Sequence, residues 1–321
     1  MLKFSKTNSL LGLKKLLDGF RLDNECFVIK PNFYKEFIGY YTEKEVLELF
    51  FMLLEGRKIY VTECYTAARN DLSKKILPGL EEGMQHVEWF RLQDEIFFKS
   101  TGIGELFKKH NVEWINATEE YWAGRTVDPE IIKALVEKKY PPVKHPELYG
   151  VIPKKLFDLR AATLVNLAKF KVMYAKSDRI FFTLAMKNLF GMIPAPNREN
   201  YHGKDDMGLS SSINDMLKIY TAVFPDNIHV LEAMNRTIIS VNSLTQAGYK
   251  HSNPALVEDL GFALAGDNPV EMDAYAVSLF GIDPHKRHFL RMGKESFGEW
   301  DENKFPQTPE KIKNYFDKFK M

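Results

Sequence analysis

Residues 26–62 read CFVIKPNFYKEFIGYYTEKEVLELFFMLLEGRKIYVT, and this stretch decides the fold class. Cys26–Lys30 (CFVIK) is a short apolar run closed by Pro31, the pattern of a buried strand. Thr42 then opens a helix running through Leu54. Thr42-x-x-Glu45 has capping-box form, and Gly56 supplies a stop. Lys58–Thr62 (KIYVT) begins a second strand. Strand, helix, strand at this spacing is the unit of a parallel sheet.

The same rhythm extends in the C-terminal direction. The spacing predicts a short helix over Gly102–Asn111 and a strand over Val112–Ala117. Asp128-Pro129-Glu130 supplies an Asp N-cap and a Pro at the first helical position of a helix reaching about Lys138. Further strands are expected at Thr163–Lys171, Ile228–Leu231 and Gly261–Ala265, with helices over Ser177–Phe190, Ser211–Val223 and Pro269–Leu279. The fold class is therefore α/β, a mainly parallel, doubly wound sheet with helices on both faces, plus insertions. The expected organisation is an N-terminal α/β half (1–140) carrying an insertion at 66–99, a Pro-rich linker (141–160), a C-terminal α/β half (161–292) and a helical tail (293–321). In the tail, Ile312, Tyr315, Phe316 and Phe319 have the spacing of an amphipathic helix.

Composition narrows the function classes. The 321 residues carry 44 Lys+Arg against 43 Asp+Glu, a net charge of +1, which argues against a nucleic-acid partner. There is no apolar run long enough for a membrane span, and the first residues lack a signal peptide's apolar core, so a cytoplasmic protein without a membrane partner is expected. Two cysteines, Cys26 and Cys64, cannot supply the four ligands of an ordinary iron–sulfur cluster. Gly102-x-Gly104 resembles the start of a dinucleotide fingerprint, but Phe107 stands at the third glycine position, so no Rossmann-type NAD site is expected.

Ligands of open α/β sheets bind beyond the carboxyl ends of the strands. Those ends carry Lys30 and Asn32, Glu63, Lys169 and Lys171, Glu232, and Asp267. Lys169 and Lys171 are two apart, so on a strand they would share a face, and their mutual repulsion calls for an anion: a bound carboxylate or phosphate, or Glu63 or Glu232. Lys187 follows Ile180, Phe181 and Leu184 on one helical stripe, where it either snorkels out or is buried against an anion. The polar segment 191–208 contains Tyr201-His202-Gly203, and its histidine is either a general acid/base or a solvated loop residue.

Several of these residues fall in motifs that occur in order. Ile29-Lys30-Pro31-Asn32, Asn166-Leu167-Ala168-Lys169-Phe170-Lys171, Lys187-Asn188-Leu189-Phe190-Gly191, Tyr201-His202-Gly203 and Gly266-Asp267-Asn268-Pro269-Val270-Glu271-Met272-Asp273 together resemble the prokaryotic domain of unknown function 362 family. The similarity spans roughly Cys26 to Pro284. It implies an α/β fold and a shared site without an agreed substrate. Some members carry a ferredoxin-like cysteine module, absent here. The family pattern P-K-x-K-T-H ends in histidine where this chain has Met173.

The expected function is an enzyme with a lysine-rich crevice for a small anionic metabolite, using proton-transfer or group-transfer chemistry. Lys30, Asn32, Lys169, Lys171, Asn188 and Tyr201 would bind substrate, and Lys187 or His202 would move a proton. A divalent metal at Glu63, Glu232 or Asp267 is left open. The alternative is a non-catalytic ligand-binding or redox-accessory protein, which the missing histidine favours. A third reading makes Trp89, Phe90, Phe97 and Phe98 of the insertion an interface in a homo-oligomer.

Overall fold

The computed structural model describes residues 1–69, 86–172, 182–203, 206–239, 255–258 and 260–318. Its strands, in chain order, are β1 (Leu2–Lys6), β2 (Cys26–Lys30), β3 (Lys58–Glu63), β4 (Glu113–Asn116), β5 (Thr163–Lys169), β6 (Lys171–Val172), β7 (Phe182–Thr183), β8 (Asn227–Ala233), β9 (Thr237–Ile239), β10 (Ala255–Val257) and β11 (Phe262–Gly266). Seven of them form one sheet in the order β1-β11-β8-β5-β2-β3-β4, and β10-β9-β6-β7 form a second, smaller sheet. The run β8-β5-β2-β3-β4 is parallel throughout, while β11 and β1 are antiparallel to their neighbours. This is an α/β fold.

Alternate strand residues bury on opposite faces, as the two-residue period requires. Phe27, Ile29, Val61, Val165, Leu167 and Val230 pack with Leu13, Leu47 and Leu106 of the helices Leu10–Leu17, Lys44–Leu53 and Ile103–Lys109. Val28, Leu164, Ala168 and Leu231 face the other way. They join Ile132, Leu189, Ile213 and Val270 of the helices Pro129–Glu137, Ala185–Phe190, Asp206–Val223 and Pro269–Ser278. Asp128 accepts from Glu130 N with Pro129 at the first helical position, as its sequence indicates.

The departures from sequence expectation have local causes. Thr42 does not cap its helix: Glu43 stands at the N-cap, and the Thr42 hydroxyl accepts from Asn32 N at 2.9 Å, fixing the turn after β2. The expected strand over Thr163–Lys171 is two strands in two sheets. It breaks at Phe170, whose ring packs against Phe262, Phe280 and Phe316 while Thr237 Oγ1 donates to its carbonyl. Of the helix expected over Ser177–Phe190 only Ala185–Phe190 is seen as helix, preceded by β7, and 173–181 lie outside the described residues.

The segment 141–160 is packed instead of standing as a linker, with Leu148, Ile152 and Leu156 fully buried, and the two expected halves share one sheet. Of the insertion's aromatics, Trp89, Phe90 and Phe97 are buried against this chain itself. Residues 70–85 of that insertion lie outside the described ones. The tail forms the helix Glu310–Asp317, burying Ile312 and Phe316, while Phe319 is outside the described residues. β1 escapes the sequence pattern because LKFSK is a half-buried edge strand with no long apolar run. Among the described residues no helix is long and apolar enough to cross a membrane.

Candidate functional site

From β2 the chain moves outward through β3 to β4, then returns to the other side of β2 for β5 and β8. β2 and β5 therefore flank the point where strand order reverses, where neighbouring connections diverge and leave a crevice at the strand ends. A cavity of about 490 Å³ opens there. Lys30, Asn32, Glu63, Lys171, Lys187, Asn188, Arg198 and His202 are among the residues lining it.

Lys30 ends β2, and its Nζ lies 2.8 Å from Glu63 Oε2 at the end of β3 and 3.1 Å from Asn188 Oδ1. Burial pulls the Lys30 pKa down, and the Glu63 carboxylate opposes that shift. Asn32 Nδ2 donates to the same Asn188 oxygen at 3.2 Å, and Glu63 Oε2 also accepts from Phe33 N. Asn188 donates in turn to Lys30 O and to Asn166 Oδ1. Asn166 Nδ2 donates to Ala185 O and meets His229 Nδ1 at 2.9 Å. Because that amide nitrogen can only donate, His229 Nδ1 accepts and the imidazole is neutral with its proton on Nε2. Burial lowers the His229 pKa to about 4, in keeping with that state. A continuous polar chain thus runs from the cavity wall into the sheet.

The helix Ala185–Phe190 carries two of these groups, Lys187 and Asn188. It is held from outside the cavity: Asp273 accepts from Ala185 N at 2.9 Å and Met186 N at 3.0 Å. Burial raises the Asp273 pKa to about 8 against the pull of those two amides. Gly191 follows, and its role is spatial. A Cβ there would lie 2.8 Å from both Glu63 Oε1 and Lys30 Nζ, so only a glycine allows the chain to cross this close to the ion pair. The next wall is Arg198, whose guanidinium donates to the carbonyls of Ile193, Gly191 and Tyr65, tying residues 191–198 to the end of β3. Carbonyl partners leave its charge in place. His202 sits edge-on to Phe190 with ring centroids 5.3 Å apart, and partial burial followed by Lys187 and Arg198 lowers its pKa to about 4.

Lys171 is the most distinctive wall residue. It is 2% exposed, and its Nζ lies 4.4 Å from the Tyr34 ring centroid and 5.6 Å from that of Tyr40. Its polar contact is Tyr40 O at 3.4 Å. Burial, then Lys187, Lys169, Lys30 and Lys35, lower its pKa well below the ordinary lysine value.

Four expected residues do not join this wall, and a fifth, Glu63, joins it in another role. Lys169 is fully buried, 3.0 Å from Glu232 Oε1 and outside the cavity lining, and it does not share a strand face with Lys171. Glu232 is consumed by that pair, and burial raises its pKa to about 7. Asp267 lies at the opposite end of the sheet, because β11 is antiparallel: its last residue, Gly266, is level with His229 near the start of β8. There Asp267 pairs with the Met1 amino group. Tyr201 turns away from the cavity, its ring 5.9 Å from His145. Glu63 is in the wall, but bound to Lys30. Among the described residues no group of three or more His, Cys, Asp or Glu could hold a metal ion. Cys64 is buried beside Glu63, and burial above all pushes its thiol up to about 11, far from a reactive thiolate.

Sequence reasoning missed Arg198, Asn166 and His229. Arg198 sits in the polar segment already singled out, where an arginine among Pro, Asn and Glu was a usable signal. Asn166 and His229 are polar residues inside apolar strands, which is itself a signal, since buried polar groups need partners.

Residues 27–278 match the family described as "Domain of unknown function (DUF362)". The chain belongs to this family. No curated protein and no solved structure matches it. Within the matched region, Lys187–Gly191 builds the wall and the glycine crossing above Lys30–Glu63. In the Tyr201–Gly203 motif, Gly203 has φ +65° and a Cβ there would lie 2.8 Å from Gly208 Cα. Met173 lies outside the described residues.

Proposed function

We propose that the cavity binds a small anionic metabolite, a carboxylate or phosphate, and carries out proton-transfer or group-transfer chemistry on it. The observation that carries this reading is the charge of the wall: among the described residues, four cationic side chains, Lys30, Lys171, Lys187 and Arg198, stand against two carboxylates, Glu63 and Glu199. Glu63 is committed to Lys30. Lys171, Lys187 and Arg198 form the anion-binding side, each charge-assisted hydrogen bond adding about 1.5–3 kcal/mol. Lys171 takes the proton-transfer role expected of Lys187 or His202, because its surroundings favour loss of its proton. His202, neutral near pH 7, donates or accepts a hydrogen bond at the mouth. Two free thiols, Cys26 and Cys64, fit a reducing, cytoplasmic setting.

A thermal-shift titration with inorganic phosphate and with succinate tests the reading. The wild-type Tm should rise with either anion, and Lys171→Met combined with Lys187→Met should remove the response while circular dichroism stays unchanged. An equal rise in the double variant would end the proposal.

A further inference from the structure

Among the described residues three lysines, Lys30, Lys169 and Lys171, are buried near the strand ends, and their partners differ. Lys30 has Glu63 at 2.8 Å and Lys169 has Glu232 at 3.0 Å. Among the described residues Lys171 has no carboxylate within ion-pair distance, only Tyr40 O and the faces of Tyr34 and Tyr40. It lines the cavity, whereas Lys169 does not. Burial and the nearby ammonium groups disfavour a further positive charge at this nitrogen, and a neutral lysine amine is a nucleophile. Lys187 and Arg198 around the same cavity attract a carboxylate. A simple carboxylate or phosphate answers those cations and leaves the amine unused. A 2-oxo acid carries a carboxylate and an electrophilic carbon on adjacent atoms, and so answers both.

Building on the anion-site reading above, we infer that Lys171 forms a covalent imine with the carbonyl carbon of a small 2-oxo carboxylate bound in this cavity. The Lys171 nitrogen attacks that carbon, an N–C bond forms, and the carbonyl π pair moves to oxygen. The amine's two protons pass to that oxygen, the C–O bond breaks and water leaves, so that amine and oxo acid give imine and one water with no oxidant or reductant. Once protonated, the imine withdraws electrons from the adjacent carbon and eases loss of a proton there. That is the proton-transfer chemistry proposed for the site.

Borohydride trapping on the full chain tests this, with pyruvate, 2-oxobutyrate and 2-oxoglutarate as probes and intact-mass and peptide mapping as readouts. At least one probe should add a single group equal in mass to the oxo acid less one oxygen. The label should map to Lys171 and be suppressed by excess inorganic phosphate. Lys171→Arg, which fills the same space but offers no nucleophilic amine, should lose the label while circular dichroism stays unchanged. If that variant does not fold, mapping on the wild type still decides. Absence of label with all three probes, while pyruvate and phosphate still raise Tm, overturns the imine and leaves the anion site standing. Absence of both label and any rise in Tm overturns the anion site itself. A label on other lysines that phosphate does not suppress overturns the assignment to Lys171.

Discussion

At the carboxyl ends of the parallel strands the same two residue types meet twice, on either side of the reversal in strand order. On one side Lys30 of β2 reaches Glu63 of β3; on the other Lys169 of β5 reaches Glu232 of β8. The first pair lines the cavity, with Gly191 crossing directly over it. The second is completely buried, and Met234 N closes on its carboxylate at 3.2 Å. Identical chemistry therefore serves two ends. The sealed pair can act only on stability, and buried pairs are expensive to desolvate, so its presence adds little by itself. The open pair shapes a wall against which a ligand can be placed. What separates them is the backbone above each pair.

The sharpest way to break this comparison is to remove one lysine at a time. Lys169→Met leaves Glu232 buried without its partner and should cost about 3–5 kcal/mol in urea unfolding at neutral pH. Lys30→Met should cost less, since Glu63 keeps the Phe33 amide and borders the cavity. The Lys169→Met penalty should shrink toward pH 5, because a protonated Glu232 tolerates burial. In the wild type, Glu232 has a folded value of about 7, above the 4.5 of a free carboxyl, so the folded chain binds its proton more tightly. Its contribution is therefore full below pH 4.5 and lost as pH rises through 7. Equal penalties for the two lysines would mean that the pairs are not different in kind.

The polar chain behind the open pair supplies the next test. His229 has a folded value of about 4 against 6.5 for a free imidazole, so the unfolded chain takes up the proton first. The His229 contribution to stability should fall by about 3 kcal/mol as pH drops from 6.5 to 4, and relative to the wild type His229→Gln should remove that part of the pH dependence. An unchanged slope in the variant would place the acid sensitivity elsewhere.

Much of this architecture was legible in the residues. CFVIK, KIYVT and the Asp128-Pro129 start gave the strands and helix of the N-terminal half, because each buries on both faces or carries its own cap. The strand-end lysines and glutamates were legible for the same reason, since charge at the end of an apolar run has few places to go. Partner choice was not. Lys169 belongs to Glu232 only because β5 and β8 are adjacent and in register, and adjacency is a long-range property. Asp267 was misplaced because the direction of β11 cannot be read from FALAG. Sequence alone groups Tyr201 with His202 because a four-residue helix reads as loop, whereas helical neighbours point in different directions.

Gly191→Ala probes the crossing over the open pair. The new methyl would press on Lys30 Nζ and Glu63 Oε1 at 2.8 Å, and relief requires the pair or the chain above it to shift. The expected cost is about 1–3 kcal/mol, with a weaker response to phosphate in the thermal-shift titration. Gly293→Ala, which would meet Met186 and Val270 away from the cavity, is the matched comparison. It should lose similar stability and keep its phosphate response. Parallel losses of response would show that any overpacking disturbs the site.

The smallest expected effect separates two adjacent residues. Tyr201 packs on the core near His145, while His202 lines the cavity against Phe190. Tyr201→Phe keeps the ring and its packing, so stability should change by no more than about 0.5 kcal/mol and the phosphate response not at all. His202→Phe keeps an aromatic group at the mouth but removes both ring nitrogens, and should weaken the response. A bound anion beside the imidazole would also oppose the cations that depress its pKa. His202 should therefore titrate at higher pH by NMR when phosphate is present, a shift that Lys187→Met should reduce. If Tyr201→Phe weakens phosphate binding and His202→Phe does not, the wall of the cavity is drawn on the wrong side of this helix. The contrast between an open and a sealed pair would then have to be redrawn with it.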